Sequence, residues 1–202
     1  RQGYDFLGLM TGSEGLLGVI TEVTVKILKS PEVVKAALIG FPTIEDAGNC
    51  VAEIIAKGCI PAGCEIMDKA LTKATNDYSK AGYPTDAEAI MIIEFDGTEH
   101  EVEAYIQKVK EIAEKNNSSS LKVNKSKEER LKFWAGRKAA FPACGVLAPD
   151  YMCMDGSIPR GKLAEVLNEI TRLSKKYNLP VANAFHAGDG NLHPLIMSVS
   201  YT

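Results

Sequence analysis

The chain has 202 residues, of which 46% are hydrophobic and 24% charged, as in ordinary globular proteins. Its net charge of −3 gives no basic excess for nucleic-acid binding, and the chain has no apolar run of the roughly 20 residues that a membrane helix needs. The five cysteines are an odd number without a CxxC pair, which argues against a disulfide framework or a thiolate zinc site and favours a cytoplasmic setting.

The first 30 residues combine a glycine-rich turn with a strand pattern. In residues 8–21, Gly12, Gly15 and Gly18 would let a ligand approach the backbone closely, although on local grounds a plain turn is the better explanation. Residues 19–28 alternate apolar and polar side chains, which predicts a half-buried strand ended by Pro31. We therefore expect a domain boundary near residue 30. Because the chain starts without Met and inside a motif, we expect it to be a piece of a longer protein.

Strands and helices alternate through the rest of the chain. Strands are predicted at 36–41, 60–67, 88–95, 120–124, 151–156, 180–185 and 193–199. Helices are predicted at 43–57, 68–80, 98–115, 126–140 and 160–177. Capping-type spacings start three of these helices, at Thr43, Thr98 and Ser126. The pattern predicts an α+β fold, a ferredoxin-like antiparallel sheet with helices packed mainly on one face.

Two stretches in the second half could carry chemistry. Arg137, in Phe-Trp-Ala-Gly-Arg, could bind a carboxylate through its planar guanidinium or be a solvated helix residue. The stretch FHAGDGNLHPL spaces His186 and His193 seven residues apart around two glycines. A tight hairpin there could bring both imidazoles together as metal ligands, with a third ligand still needed, or could be an ordinary turn. Trp134 is expected in the core and His100 on the surface.

The sequence HAGDGNLHP resembles the signature of the FAD-linked oxidase C-terminal domain, found in glycolate oxidase flavoprotein subunits and D-lactate dehydrogenases. The resemblance covers nearly the whole chain and includes the segment GSEGLLG, where position 16 is Leu instead of the usual Thr. It implies that residues 1–30 are the C-terminal tail of an FAD-binding domain, and that 31–202 form a substrate domain truncated at its C-terminus. The implied flavin-contacting residues are Gly12, Ser13, Glu14, Gly15, Gly18 and Val19.

The resemblance further implies a divalent metal such as zinc on His186 and His193, and a substrate carboxylate on Arg137. A glutamate ligand and the catalytic base would lie downstream of Thr202. Cys153 replaces a lysine of the hydroxyglutarate enzymes, which favours a small 2-hydroxy acid such as glycolate or D-lactate. Implied partners are an electron-transfer flavoprotein or an iron–sulfur subunit, and a homo-oligomer stays open. The alternative function is an inactive α+β interaction module without bound flavin.

Overall fold

The computed structural model describes residues 3–198. The chain divides into two units, residues 1–30 and residues 31–202. This division falls where the sequence predicted a boundary. That the first unit is the tail of an FAD-binding domain stays a prediction.

The first unit contains one short helix, α1 (Phe6–Met10), and otherwise turns and extended chain in its described part. The predicted strand at 19–28 is wrong, because no strand is assigned between residues 11 and 32. Its apolar side chains are exposed, with Val23 at 72% and Ile27 at 84%. A strand requires hydrogen bonds to a neighbouring strand, and an alternating pattern alone does not supply one.

The second unit follows the predicted alternation of strands and helices. Its strands are β1 (Val33–Phe41), β2 (Gly63–Asp68), β3 (Ala89–Gly97), β4 (Ser120–Val123), β5 (Asp150–Cys153), β6 (Gly156–Ser157), β7 (Val181–His186) and β8 (Asn191–Ser198). Its α-helices are α2 (Ile44–Ala56), α3 (Lys69–Ser79), α4 (Glu99–Lys115), α5 (Lys127–Lys138), α6 (Ala140–Ala143) and α7 (Leu163–Tyr177). Residue 199, the end of the last predicted strand, lies outside the described residues.

The predicted helix starts are confirmed by side-chain caps. The hydroxyl of Thr43 accepts a hydrogen bond from the Asp46 amide, and Thr98 forms a complete capping box with Glu101. Ser126 accepts from the Glu129 amide at the start of α5. These caps satisfy amides that have no partner inside the helix, and so they fix where each helix begins.

All described strand pairs of the sheet are antiparallel, in the order β4-β1-β3-β2-β7-β8-β5, with β6 also paired to β8. The first four strands have the ferredoxin-like order, since the edge strand β4 lies beside β1 and β3 separates β1 from β2. The later strands extend the same sheet beyond β2. The α+β, antiparallel, ferredoxin-like prediction is therefore confirmed.

Helices cover both faces of the sheet. The three longest, α2, α4 and α7, pack on one face around Ile39, Phe95 and Phe185, as expected. The expectation of helices mainly on one face is incomplete, because α3, α5 and α6 cover the other face around Leu38 and Ile92. Alternate strand residues point to opposite faces of the sheet, and both sets are buried. Each face must therefore be covered by helices that contribute apolar side chains. Among residues 3–198, no helix combines the length and apolarity needed to cross a membrane.

Candidate functional site

A tight turn between β7 and β8 brings the two histidines together. The Asp189 amide donates to the His186 carbonyl over 3.0 Å, and the Gly190 amide donates to the Ala187 carbonyl over 3.3 Å. Gly190 has a φ of +74°, and a Cβ there would collide with the carbonyl oxygen of Ile158. Glycine is therefore required at position 190 for both conformation and space.

The strand register sets the two imidazoles on one face of the sheet. His193 lies opposite Ala184, two residues before His186, so the histidines are diagonal neighbours across β7 and β8. Their ring centroids are 5.1 Å apart and the ring planes are perpendicular. His193 is the more enclosed, with 15% of its side chain exposed against 46% for His186. The convergence expected from the sequence is present.

Each histidine has a carboxylate on its Nδ1 side. Glu65 Oε1 lies 2.7 Å from Nδ1 of His186, whereas Asp155 Oδ1 lies 3.6 Å from Nδ1 of His193, beyond hydrogen-bonding distance. Asp155 instead accepts from the Asn191 amide group at 2.9 Å. Within residues 3–198, no group of three or more His, Cys, Asp or Glu side chains is arranged to hold a metal ion. The described chain therefore offers a pair of imidazoles, to which a further ligand would have to be added.

Arg137 is buried on the same face and is connected to His186 through Glu65. Its Nε donates to Glu65 Oε2 at 3.1 Å, and its Nη2 lies 3.0 Å from the same oxygen. The second contact is close enough for an ion pair, but its angle does not make a hydrogen bond, so the buried Nη2 has no hydrogen-bond acceptor within residues 3–198. Arginine at this position is thus not a solvated helix residue.

Close packing holds α5, the helix that carries Arg137. The buried hydroxyl of Tyr83 donates to the Phe133 carbonyl, and Trp134 Nε1 donates to Glu94 at 2.6 Å. Burial raises the pKa of Tyr83, so the phenol remains a hydrogen-bond donor at neutral pH. Gly136 faces Tyr83 so closely that the helix could not approach it with a larger residue. Trp134 was expected in the core but is only partly buried, packed against it, whereas His100 is exposed as expected.

Glu65 is a site residue that the sequence analysis did not find. It lies directly opposite His186 in the register of β2 and β7, and it contacts both His186 and Arg137. The available signal was a single charged residue between the apolar Cys64 and Ile66 in a predicted strand. The sequence pattern gave no indication of which residues would face it across the sheet.

The glycine-rich segment of the first unit forms consecutive turns. Positive φ values occur at Gly12 (78°), Glu14 (51°), Gly15 (80°) and Gly18 (156°). The Leu16 amide donates to the Ser13 carbonyl at 2.9 Å, and Val19 is 87% exposed. A Cβ at Gly12 or Gly15 would meet nothing within 4 Å, so backbone conformation, not crowding, accounts for these glycines.

Comparison with known proteins gives a consistent family. The sequence profile "FAD linked oxidases, C-terminal domain" matches residues 30–201. The glycolate oxidase subunit GlcD of Escherichia coli K12 is 52% identical over 195 residues, which are 96% of this chain and 39% of that protein. GlcD of Bacillus subtilis is 36% identical (95% and 41%), and the mitochondrial D-lactate dehydrogenase [cytochrome] of Arabidopsis thaliana is 34% identical (96% and 34%). The chain thus spans about two fifths or less of these relatives.

Solved structures agree on the fold. An alkyldihydroxyacetonephosphate synthase superposes with a TM-score of 0.71 at 20% identity, over 97% of this chain and 42% of that one. At that identity the likeness concerns the fold alone.

Proposed function

The chain belongs to the FAD-linked oxidase C-terminal domain family, and on this premise we propose that it is the substrate-side part of a flavoenzyme that oxidises a small 2-hydroxy acid to the 2-oxo acid. The relatives named for glycolate oxidase and D-lactate dehydrogenase support this reaction. The single observation that carries the proposal is the convergence of His186 and His193, 5.1 Å apart, on the sheet face where Arg137 is buried.

Arg137 would bind the substrate carboxylate. A guanidinium has five N–H donors and is charged at every physiological pH. Glu65 occupies the Nε edge, and Nη2 is buried without a hydrogen-bond acceptor in the described chain. A carboxylate that reached the guanidinium would provide acceptors for its remaining donors.

His186 and His193 would be two ligands of a divalent metal such as zinc. The donor set fits, because neutral imidazole is a common ligand of zinc and other divalent transition metals, and a carboxylate on the far nitrogen is the usual support for such a ligand. His186 has that support from Glu65 at 2.7 Å. A bound metal would supply Lewis-acid polarisation of the substrate hydroxyl. The third ligand, a glutamate, and the base that takes the hydroxyl proton are proposed to lie downstream of Thr202.

The oxidation removes a hydride from Cα and a proton from the hydroxyl, and leaves a carbonyl. FAD, when bound, accepts the hydride. In this chain, residues 1–30 would be the end of the FAD-binding domain and would contact the flavin through Gly12, Ser13, Glu14, Gly15, Gly18 and Val19. The positive φ values and the open space beside Gly12 and Gly15 are compatible with a ligand lying against this backbone. Electrons would then pass to an electron-transfer flavoprotein or an iron–sulfur subunit.

The preferred substrate would have a single carboxylate. Cys153, on β5 beside β8, is exposed, and desolvation together with Asp155 raises the pKa of its thiol. The thiol is therefore neutral at pH 7. Unlike a lysine, it has no positive charge in any ionisation state, so it cannot form an ion pair with a second carboxylate. All five cysteines are free thiols, which supports a reducing, cytoplasmic setting.

The test is turnover of glycolate and D-lactate by the full-length protein with an artificial electron acceptor. We expect His193→Ala to lower kcat at least 100-fold and to abolish binding of one equivalent of Zn²⁺. His100→Ala is the matched control, since His100 is an exposed histidine of α4, and it should retain wild-type activity. Unchanged turnover and metal content in His193→Ala would contradict the proposed site.

A further inference from the structure

Glu65 connects the two functional elements of the site. One oxygen, Oε1, lies 2.7 Å from Nδ1 of His186, and the other, Oε2, accepts from Nε of Arg137 at 3.1 Å. Both Glu65 and Arg137 are largely enclosed, with side-chain exposures of 12% and 8%. A single buried carboxylate thus contacts a guanidinium and an imidazole on opposite sides.

We propose that Glu65 is a positioning residue that fixes the tautomer of His186 and the orientation of Arg137 together. This inference rests on the proposed function for its consequence in catalysis. Its structural content, the state of the His186 ring, can be measured whether or not the protein oxidises a hydroxy acid.

The tautomer follows from hydrogen-bond chemistry. An ionised carboxylate only accepts hydrogen bonds, so the Nδ1 of His186 that faces Glu65 must carry the proton. In the neutral ring the lone pair is then on Nε2, which is the atom left to bind a metal. His193 has no equivalent control within residues 3–198, because Asp155 is 3.6 Å from its Nδ1. Glu65 therefore determines which nitrogen of His186 can act as a ligand.

The contact with Arg137 adds a second constraint. The positive charge of the guanidinium favours an oxygen at its Nε edge, and the carboxylate satisfies this demand and that of the histidine at once. A glutamine at position 65 has one oxygen and one NH₂ group. Arg137 would attract the amide oxygen, which would turn the NH₂ toward His186. That group donates, so Nδ1 would have to be the acceptor and Nε2 would carry the proton, leaving no lone pair for a metal.

Comparison with Glu94 separates this role from an ordinary ion pair. Glu94 on β3 is a similarly enclosed glutamate that pairs with Arg130 at 2.9 Å and accepts from Trp134, and within residues 3–198 it forms no hydrogen bond or ion pair with a histidine. Glu94→Gln therefore removes a negative charge that pairs with an arginine on the same face of the sheet, and it leaves the hydrogen bonds of His186 unchanged.

The experiment uses full-length protein with ¹⁵N-labelled histidine. Nitrogen chemical shifts identify the His186 tautomer in the metal-free protein, with His186→Asn giving the assignment, and calorimetric titration with Zn²⁺ gives the affinity. We expect the Nδ1–H tautomer in the wild type and the Nε2–H tautomer in Glu65→Gln. Zinc binding should weaken about 10–100-fold, the usual effect of losing such a supporting carboxylate. Glu94→Gln should match the wild type in both measurements.

A wild-type His186 in the Nε2–H form would overturn the proposal, as would a Glu65→Gln protein with the wild-type tautomer. If Glu65→Gln does not fold, Glu65→Asp serves instead. Its side chain is one methylene shorter and cannot span both partners, so it should lose the fixed tautomer or raise the KM for the hydroxy acid. A wild type that binds no zinc and oxidises neither substrate would refute the proposed function, while the tautomer shift would still decide the role of Glu65.

Discussion

Gly136 offers a quantitative test of how tightly α5 is held against the sheet. An alanine Cβ at this position would lie 2.5 Å from Cζ of Tyr83 and 2.6 Å from Cβ of Ala81. Neither neighbour can yield easily, since Tyr83 is 4% and Ala81 8% exposed. The substitution must therefore move the helix or break the hydrogen bond from Tyr83 to Phe133.

The magnitude follows from opposing contributions. Overpacking costs about 1–3 kcal/mol and a stranded buried hydroxyl about 1–3 kcal/mol, whereas the better helix propensity of alanine returns about 1 kcal/mol. We expect Gly136→Ala to lose about 1–5 kcal/mol of unfolding free energy, the net of these terms. Urea unfolding followed by the fluorescence of Trp134, the only tryptophan of the chain, measures this loss.

Two controls isolate the contact. Gly145→Ala has open space for its Cβ and should change stability by less than about 0.5 kcal/mol. In the double variant with Tyr83→Leu, which removes the obstructing ring, the loss should be smaller than the sum of the single losses. A neutral or stabilising Gly136→Ala, or strictly additive variants, would refute the packing described for α5.

Two further predictions concern a buried carboxyl and the histidine turn. Burial raises the pKa of Asp68 to about 6 from its usual 3.8, so the folded state holds this proton more tightly than the unfolded state. The free energy of unfolding should therefore decrease as the pH rises from about 4 to 6 and Asp68 ionises. Urea unfolding at both ends of this range should show a larger decrease in the wild type than in Asp68→Asn. Gly190→Ala places a Cβ against the Ile158 carbonyl at positive φ, and should lose at least about 1–3 kcal/mol and weaken zinc binding, whereas Gly161→Ala, with open space, should do neither.

Local pattern predicted most of the second unit, because its helices begin at strong caps and its strands are bounded by turns. Thr98 and Glu101 show this, since both hydrogen bonds of the capping box were implied by their spacing alone. The prediction failed where a neighbour decides the structure. The alternating residues 19–28 lack a pairing strand within the described chain.

In the candidate site, too, the local features were predictable from the sequence and the long-range contacts were not. The histidine turn was predictable because His186 and His193 belong to one hairpin, and its glycines indicate a tight bend. Glu65 was missed because its position beside His186 depends on the pairing of β2 with β7, and Arg137 reaches it from a separate helix. No local spacing encodes such long-range contacts.

The contact between Glu65 and His186 joins residues 121 positions apart, and this separation has a consequence for how the protein is made. On the ribosome, the four strands of the ferredoxin-like order are complete well before the hairpin of β7 and β8 is translated. A nascent chain that has completed these four strands contains Glu65 but not yet His186 or His193. Under the proposed function, a metal ion could therefore be bound by this pair of histidines only after the hairpin of β7 and β8 has been synthesised.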